Sequence, residues 1–239
     1  MSEPLVSATV GDIVAADFRT AGVFERFGID FCCGGRRSLA EACRSAAADP
    51  EAVVRALEAL PSVEPRSGEA AAWPIDRLID HIEAAHHTYV RAALPRIAGY
   101  LRKLVEVHGV RHSELALAAA AFDRMRGDLE QHLVKEEQVL FPYLRDLADH
   151  ALQPCGVLAC PFGTVENPIR MMEREHRVAG DELRMVRELT RDYTAPVDGC
   201  ATYAVCMAEL LEFERDLHRH IHLENNVLFP KAIALESRS

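Results

Sequence analysis

The sequence predicts an all-α protein: a small helical domain followed by an up-down-up-down four-helix bundle. Three observations carry that prediction. Ala, Leu, Glu and Arg dominate, and apolar residues recur every three or four positions while strand-like alternation is scarce. Four long stretches in the second part of the chain hold this helical period, two pairs of them joined by short links. Between the two parts, "PSVEPRSGEA" at 61–70 has the Pro, Ser and Gly content of a linker. The expected division is therefore a helical domain over 1–62, a linker over 63–72 and a bundle over 73–239.

In chain order, one or two short helices are expected within 10–27. Another covers 38–47, where Ser38 and Glu41 have the spacing of a capping box, and another covers 50–60, with Asp49 as N-cap and Pro50 at the first helical position. The first bundle helix spans about 74–107 and the second about 112–149, with a tight link around Gly109. Asn167-Pro168 reads as an N-cap followed by proline, opening a third helix that fades near Tyr193. The fourth runs from about Asp198 to Leu235. Short links make each pair an antiparallel hairpin.

A chain of 239 residues, 49% hydrophobic and 27% charged, can bury one large core with a small domain appended. Its first residues show no basic segment leading into an apolar one, and no run of about 18 uncharged apolar residues follows. A cytoplasmic protein that keeps off membranes is expected. The net charge of −10 argues against nucleic acid as a partner, since that affinity comes largely from Lys and Arg displacing counterions. Seven cysteines (Cys32, Cys33, Cys43, Cys155, Cys160, Cys200 and Cys206) are then expected as thiols rather than structural disulfides.

The chemistry is concentrated in a repeat. "HLVKEEQVLFP" at 132–142 and "HIHLENNVLFP" at 220–230 agree at six of eleven positions, and both read His-x-x-x-Glu-x-x-Val-Leu-Phe-Pro. Such a repeat in a bundle points to a duplicated hairpin. Counting outward from the hairpin turns, His87 and His132 lie 23 and 22 residues from Val110, and His176 and His220 each lie 22 residues from Asp198. At about 1.5 Å per residue, all four helices bring polar groups to one level, roughly 33 Å from the turns.

Facing follows from the 100° helical step. His132 and Glu136 fall in the arc of Met125, Leu129, Val139 and Leu140. His176 falls with Ile169, Met172, Ala179 and Leu183, and His220 and Glu224 with Phe213, Leu217 and Val227. Two inward carboxylates without partners would be prohibitive, and a bound cation removes that penalty. On the first helix the stripe of Ile75, Leu78, Ile79, Ile82, Tyr89, Ala93 and Ile97 centres on His86, with His87 about 100° away. His81, His108, His112, His150, His218 and His222 fall off the arcs or near helix ends and read as surface, His222 with the further option of supporting a ligand.

Imidazole and carboxylate together suit iron or manganese better than structural zinc, and two carboxylates able to bridge suggest two metals. A ferritin-like alternative uses Glu83-x-x-His86 and Glu173-x-x-His176 with Glu136 and Glu224 as lone carboxylates. It leaves the repeated His132 and His220 without a role, so the His-rich set is preferred.

"DFCCGG" at 30–35, "MEREH" at 172–176 and the paired repeat together resemble the iron–sulfur cluster repair di-iron proteins (RIC, the ScdA/YtfE type), which join a Cys-Cys domain to a hemerythrin-like bundle. The resemblance spans nearly the whole chain. It implies iron ligands at His87, His132, Glu136, His176, His220 and Glu224, with two irons bridged by oxo and carboxylate groups. Its register chooses His87 over His86, and Pro95 offers a distortion that would rotate this face of the helix. It also implies repair of clusters damaged by oxidative or nitrosative stress, by iron donation, with damaged iron–sulfur or cluster-assembly proteins as partners. A homodimer is compatible with it. The same ligand set would serve a nitric oxide-reducing enzyme, or a module that senses or stores oxygen or nitric oxide.

Cys32 and Cys33 are the expected catalytic residues. Adjacent cysteines cannot close a relaxed disulfide with each other, because the bond wants a Cα separation of about 4.4 Å or more against about 3.8 Å between neighbours. Gly34 and Gly35 expose the backbone, and Arg36, Arg37 and the helix start at Ser38 should favour thiolate. The pair is expected to pass iron, electrons or nitrosyl groups. Cys155 and Cys160 sit in a long connection, "QPCGVLACPFG", expected as a plain loop, with metal binding or redox pairing as the other option.

Overall fold

The computed structural model describes residues 8–60, 69–152 and 160–238. Residues 69–72 of the expected linker form a short helix, α5 (Glu69–Ala72); the rest of the linker and Cys155 lie outside the described residues. Among the described residues there is no strand, only an isolated bridge between Thr9 and Ser38. No described helix is long and apolar enough to cross a membrane. The chain forms two compact units, one of Met1–Ile79, Leu147–Ala159 and Arg219–Ser239, the other of Asp80–Asp146 and Cys160–His218.

The first unit opens with α1 (Val10–Ala16), a 3-10 turn over Phe18–Thr20 and α2 (Ala21–Arg26). The Cys-Cys motif follows, then α3 (Leu39–Ser45) and α4 (Pro50–Glu58). Both caps are formed as the sequence suggests. The Ser38 hydroxyl accepts from Glu41 N–H while Glu41 accepts from Ser38 N–H at 3.0 Å, and Asp49 caps Glu51. Val10 N–H donates to Arg37 O and Gly11 N–H to Gly35 O, so the segment after the cysteines is fastened alongside the start of α1.

The second unit is a closed ring of four helices. Its first helix consists of α6 (Ile75–His81, whose start belongs to the other unit), a π turn over Ile82–His87 and α7 (Thr88–His108). The second consists of α8 (Glu114–Lys135), a π turn over Glu136–Leu140 and α9 (Phe141–Leu152, whose end belongs to the other unit). The third is α10 (Glu166–Leu189), and the fourth starts as α11 (Ala201–Leu223). Ion pairs link the neighbours in turn: Arg91 with Glu137, Arg124 with Glu182, Arg187 with Glu214, and Arg96 with Glu209. Inside the ring, Phe122 of the second helix meets Phe213 of the fourth edge-on at 5.7 Å.

Two local expectations are corrected. The third helix begins at Glu166, and Asn167 lies within its first turn rather than capping it. The Asn167 amide donates to Phe162 O at 2.8 Å, and Pro168 is tolerated because a first-turn N–H has no intrahelical acceptor to lose. The helix also ends at Leu189 rather than near Tyr193, and three consecutive left-handed residues follow, Arg191, Asp192 and Tyr193, at φ 50, 56 and 55°. The buried Tyr193 ring lies 4.9 Å under the Arg187 guanidinium, and its hydroxyl donates to Glu214 at 3.3 Å. That packing holds a backbone state L-residues otherwise avoid.

Candidate metal centre

Within the bundle unit, His87, His132, Glu136 and His176 are all buried to 1% exposure or less. His132, Glu136 and His176 each present a ligand atom, and these atoms lie within 4.8 Å of one another. His132 Nε2 is 3.2 Å from Glu136 Oε1 and 3.0 Å from His176 Nε2, and His87 Nε2 is 3.5 Å from Glu136 Oε2. Two imidazole nitrogens aimed at each other across 3.0 Å, beside a carboxylate, are a donor set suited to a cation. Among the described residues of the other unit, His220 and Glu224 repeat the pattern. Both are buried, with Nε2 2.9 Å from Oε1.

The outer nitrogens fix which edge of each ring faces inward. His132 Nδ1–H donates to Glu175 at 2.9 Å, and Glu175 also takes Lys135. His87 Nδ1–H donates to Glu137 at 2.7 Å, and Glu137 takes Arg91 at 2.6 and 2.9 Å. Each imidazole so held keeps the Nε2 lone pair for a metal, the usual second layer of a metal site. The His132 hydrogen bond, with Lys135 adding to it against the opposing effect of burial, holds the Glu175 carboxyl down at about 2. Burial would raise Glu137, but the bonds from Arg91 and His87 outweigh it and hold its carboxyl below the ordinary range. A cleft of about 250 Å³, lined by Asp128, His132, Lys135, Arg174, Glu175 and Val178, opens beside His132.

The wide turns explain the helix where stripe and register disagree. A π turn closes with an N–H bonding five residues back: Thr88 to Glu83 O, Phe141 to Glu136 O, and Phe229 to Glu224 O. One residue more than an α turn shifts everything downstream by about 100°. Upstream of His87 the buried stripe is Ile75, Leu78, Ile79 and Ile82, which extrapolates to His86. Downstream it is Val90, Leu94, Ile97, Leu101 and Leu104, which extrapolates back to His87. Both histidines are buried, but His86 Nδ1 is bonded to Asp216 at 2.9 Å whereas His87 meets Glu136. The phase change comes from the π turn before Thr88, not from Pro95 seven residues after it. The same mechanism corrects Val139. It is half exposed, because the turn at Glu136 swings it out and brings Leu140 and Phe141 in.

Two further surface expectations fail. His108 is buried at 5% exposure, against Tyr203, and His222 at 1%, between Phe18 and Phe31. Arcs drawn for the bundle interior miss His222 because its cover comes from the N-terminal segment. Burial, opposed by a Phe31 backbone hydrogen bond, lowers the His222 imidazole to about 4.

The cysteine pair lies in the first unit, both thiols free. The Asn226 amide donates to Cys32 O at 3.0 Å and Phe31 O at 3.3 Å, and Asn225 donates to Cys32 O at 3.3 Å. These asparagines directly follow Glu224 in the third π turn, Glu224–Leu228. Thiolate is not what this setting favours at Cys32. Its hydrogen bond with the Cys33 thiol, its burial and the Asp30 carboxylate at 3.4 Å raise the thiol well above the ordinary range. The N-terminal charge expected from the helix after Ser38 is taken up by Glu41 in the capping box. Asp30, Cys32 and Cys33 form a compact set of candidate metal ligands.

Residues 77–232 match the hemerythrin HHE cation binding domain, and residues 6–61 match ScdA_N, a domain of unknown function (DUF542). The iron–sulfur cluster repair protein YtfE of Musicola paradisiaca is 34% identical over 229 residues, covering 96% of this chain and 97% of that one. The proteins of the same name from Yersinia pestis (strain Pestoides F) and Yersinia pseudotuberculosis (serotype O:1b) are each 34% identical over 94% of this chain and 96% of theirs. Buried His and Glu at the repeat, a Cys-Cys domain ahead of it and these matches along nearly the whole chain agree: the protein belongs to the YtfE family of iron–sulfur cluster repair proteins, with a hemerythrin-type cation binding domain.

Proposed function

We propose that this is a cytoplasmic di-iron protein that restores iron–sulfur clusters damaged by oxidative or nitrosative stress. The observation that carries the reading is the convergence of His132 Nε2, His176 Nε2 and the Glu136 carboxylate in a buried pocket, inside a domain of the cation binding type. His87, His132 and His176 would hold iron through Nε2, and the repeat assigns His220 the same role. Glu136 and Glu224, 88 residues apart at equivalent places in the repeat, would bridge two irons. Iron suits such an imidazole and carboxylate set and is redox-active in it, and donation to a damaged cluster would require its release.

The chain's own residues set the terms. Glu175 and Glu137 keep the rings oriented, Arg91 and Lys135 keep those carboxylates ionised, and the apolar surroundings exclude bulk water. Cys32 and Cys33 are the proposed transfer residues. Bonds from Asn225 and Asn226 hold the Cys32 backbone next in sequence to Glu224, and Asp30 and Cys33 supply further donors. The partners are damaged iron–sulfur proteins or the proteins that assemble clusters.

Metal analysis with Mössbauer spectroscopy, then reactivation of a nitrosylated or oxidised [4Fe–4S] dehydratase by the purified protein, tests this. Two irons per chain are expected, reduced by Ala at any of the six ligands and retained in Cys32→Ser/Cys33→Ser, which loses reactivation. One zinc per chain, or full reactivation by the double serine variant, would overturn it. A second reading, reduction of nitric oxide at the same centre, is favoured by the cleft beside His132, which is large enough for a diatomic. Nitrous oxide formed from nitric oxide and a reductant, without cluster reactivation, would select it.

A further inference from the structure

At the end of the first bundle helix, about 30 Å along it from His87, the bundle unit holds a second group of reactive side chains. His108 is the last residue of α7, and its ring is buried edge-on against Tyr203 at 5.5 Å. Its Nε2 lies 3.2 Å from the Sγ of Cys200, and its Nδ1 has no hydrogen-bond partner among the described residues. A buried imidazole whose one polar contact is a thiol is aimed at that thiol. Cys200 itself is exposed. It stands directly ahead of Ala201, the first residue of a 23-residue helix, where orphan backbone N–H groups favour an anion.

Three charged groups on the neighbouring turn are paired. His112 Nε2 takes Asp198 at 3.0 Å and its Nδ1 lies 3.4 Å from Glu114, while Arg111 reaches Asp198 at 3.3 Å. Asp198, two residues before the thiol, is thus paired. The hydrogen bond with His108, followed by those from the Tyr203 and Thr202 backbone, lowers the Cys200 thiol to about 7. Cys206, on the same helix, is buried, and its thiol is pushed up to about 12. One helix therefore carries a reactive and an inert cysteine.

We propose that Cys200 and His108 form a nucleophile–base pair, and that Cys200 is a site of reversible mixed-disulfide formation with low-molecular-weight disulfides of the glutathione type. The proton passes from Sγ to His108 Nε2. The thiolate attacks one sulfur of the disulfide; the new S–S bond forms as the old one breaks, and the leaving thiolate takes the proton from the imidazolium. The disulfide is the only co-reactant, and excess thiol reverses the step. This site is independent of the metal centre.

The test uses the full-length protein and oxidised glutathione from pH 5 to 10, with acid quenching and peptide mass spectrometry. Cys200 should reach half its maximal rate near pH 7 and react at least ~10-fold faster at pH 7 than Cys206 or Cys43, since burial withholds both of those. His108→Gln should move the midpoint to about 8.5 or above. The rate at pH 7 should then fall only several-fold, because a more basic thiol is a better nucleophile once ionised. Persistent inertness of Cys206 in that variant reports that it has folded; if it unfolds, the profile of the unaltered protein decides. A Cys200 midpoint of 8.5–9 in the unaltered protein, or an unchanged midpoint in folded His108→Gln, would overturn the proposal.

Discussion

Gly35→Ala is the sharpest probe of how the Cys-Cys motif is fastened. A Cβ at Gly35 would lie 2.1 Å from Asn226 Oδ1, 2.7 Å from its Cγ and 2.8 Å from its Nδ2. Gly35 is not in the left-handed region, so alanine meets no backbone penalty, and the three nearest atoms its Cβ would meet all belong to this one side chain. Asn226 cannot swing away freely, because its amide holds Cys32 O and Phe31 O. Losing two such bonds costs about 1 kcal/mol each, and residual overpacking about 1–2 kcal/mol more, for a total of about 3–4 kcal/mol. In an Asn226→Ala background the same substitution should cost about 0.5 kcal/mol or less, a coupling of about 3 kcal/mol. Urea unfolding of the metal-free protein, followed by circular dichroism, measures all four corners of the cycle. A Gly35→Ala cost below about 0.5 kcal/mol, or the same cost with and without Asn226, would refute the account.

Three other outcomes follow from the geometry. Glu175→Ala or Glu137→Ala should each weaken iron binding by about 10–100-fold in chelator competition, since the ring it orients is released; unaltered affinity in both would remove these carboxylates from the site. Glu214→Ala takes from Arg187 its buried partner, leaving it Asp192 at 3.4 Å, and should cost about 2–3 kcal/mol in urea unfolding, less than for a fully buried pair because Arg187 is 34% exposed; a loss under about 1 kcal/mol would deny the network its role. Burial raises the Cys206 thiol to about 12, so its contribution to stability is intact below the unfolded value near 8.5 and is lost as pH climbs toward 12, by about 1.4 kcal/mol per unit. Cys206→Val should flatten the stability profile between pH 9 and 11 under reducing conditions, and an identical slope would contradict this.

Much of this was legible in the residues. The caps at Ser38 and Asp49, the four helical periods and the repeat that pairs His132 with Glu136 and His220 with Glu224 are local patterns, and local patterns survive folding. What was not legible is what changes phase or arrives from elsewhere in the chain. A constant 100° step takes no account of a π turn, so it misplaces Val139 and centres the first helix on His86 rather than His87. His222 is covered by Phe18 and Phe31, and Gly35 is dictated by Asn226, contacts between residues some 200 positions apart. The neutral state of Cys32 depends on burial and on the direction of the Asp30 carboxylate, which nearby arginines in the sequence do not reveal.

The three wide turns bear on how this architecture persists. Each contains one residue that an ordinary helix would not need, and dropping it would let the backbone relax into a better ladder. Yet the apolar residues beyond each turn are set to the longer count: Val90, Leu94 and Ile97 after the first, Phe141, Leu144 and Leu147 after the second, Phe229 and Ala232 after the third. A single-residue deletion would mend the turn and rotate all of these out of the core at once. The surplus residue is thus held in place by the helix downstream of it, and the lineage cannot discard the distortion one step at a time, whether or not metal is bound.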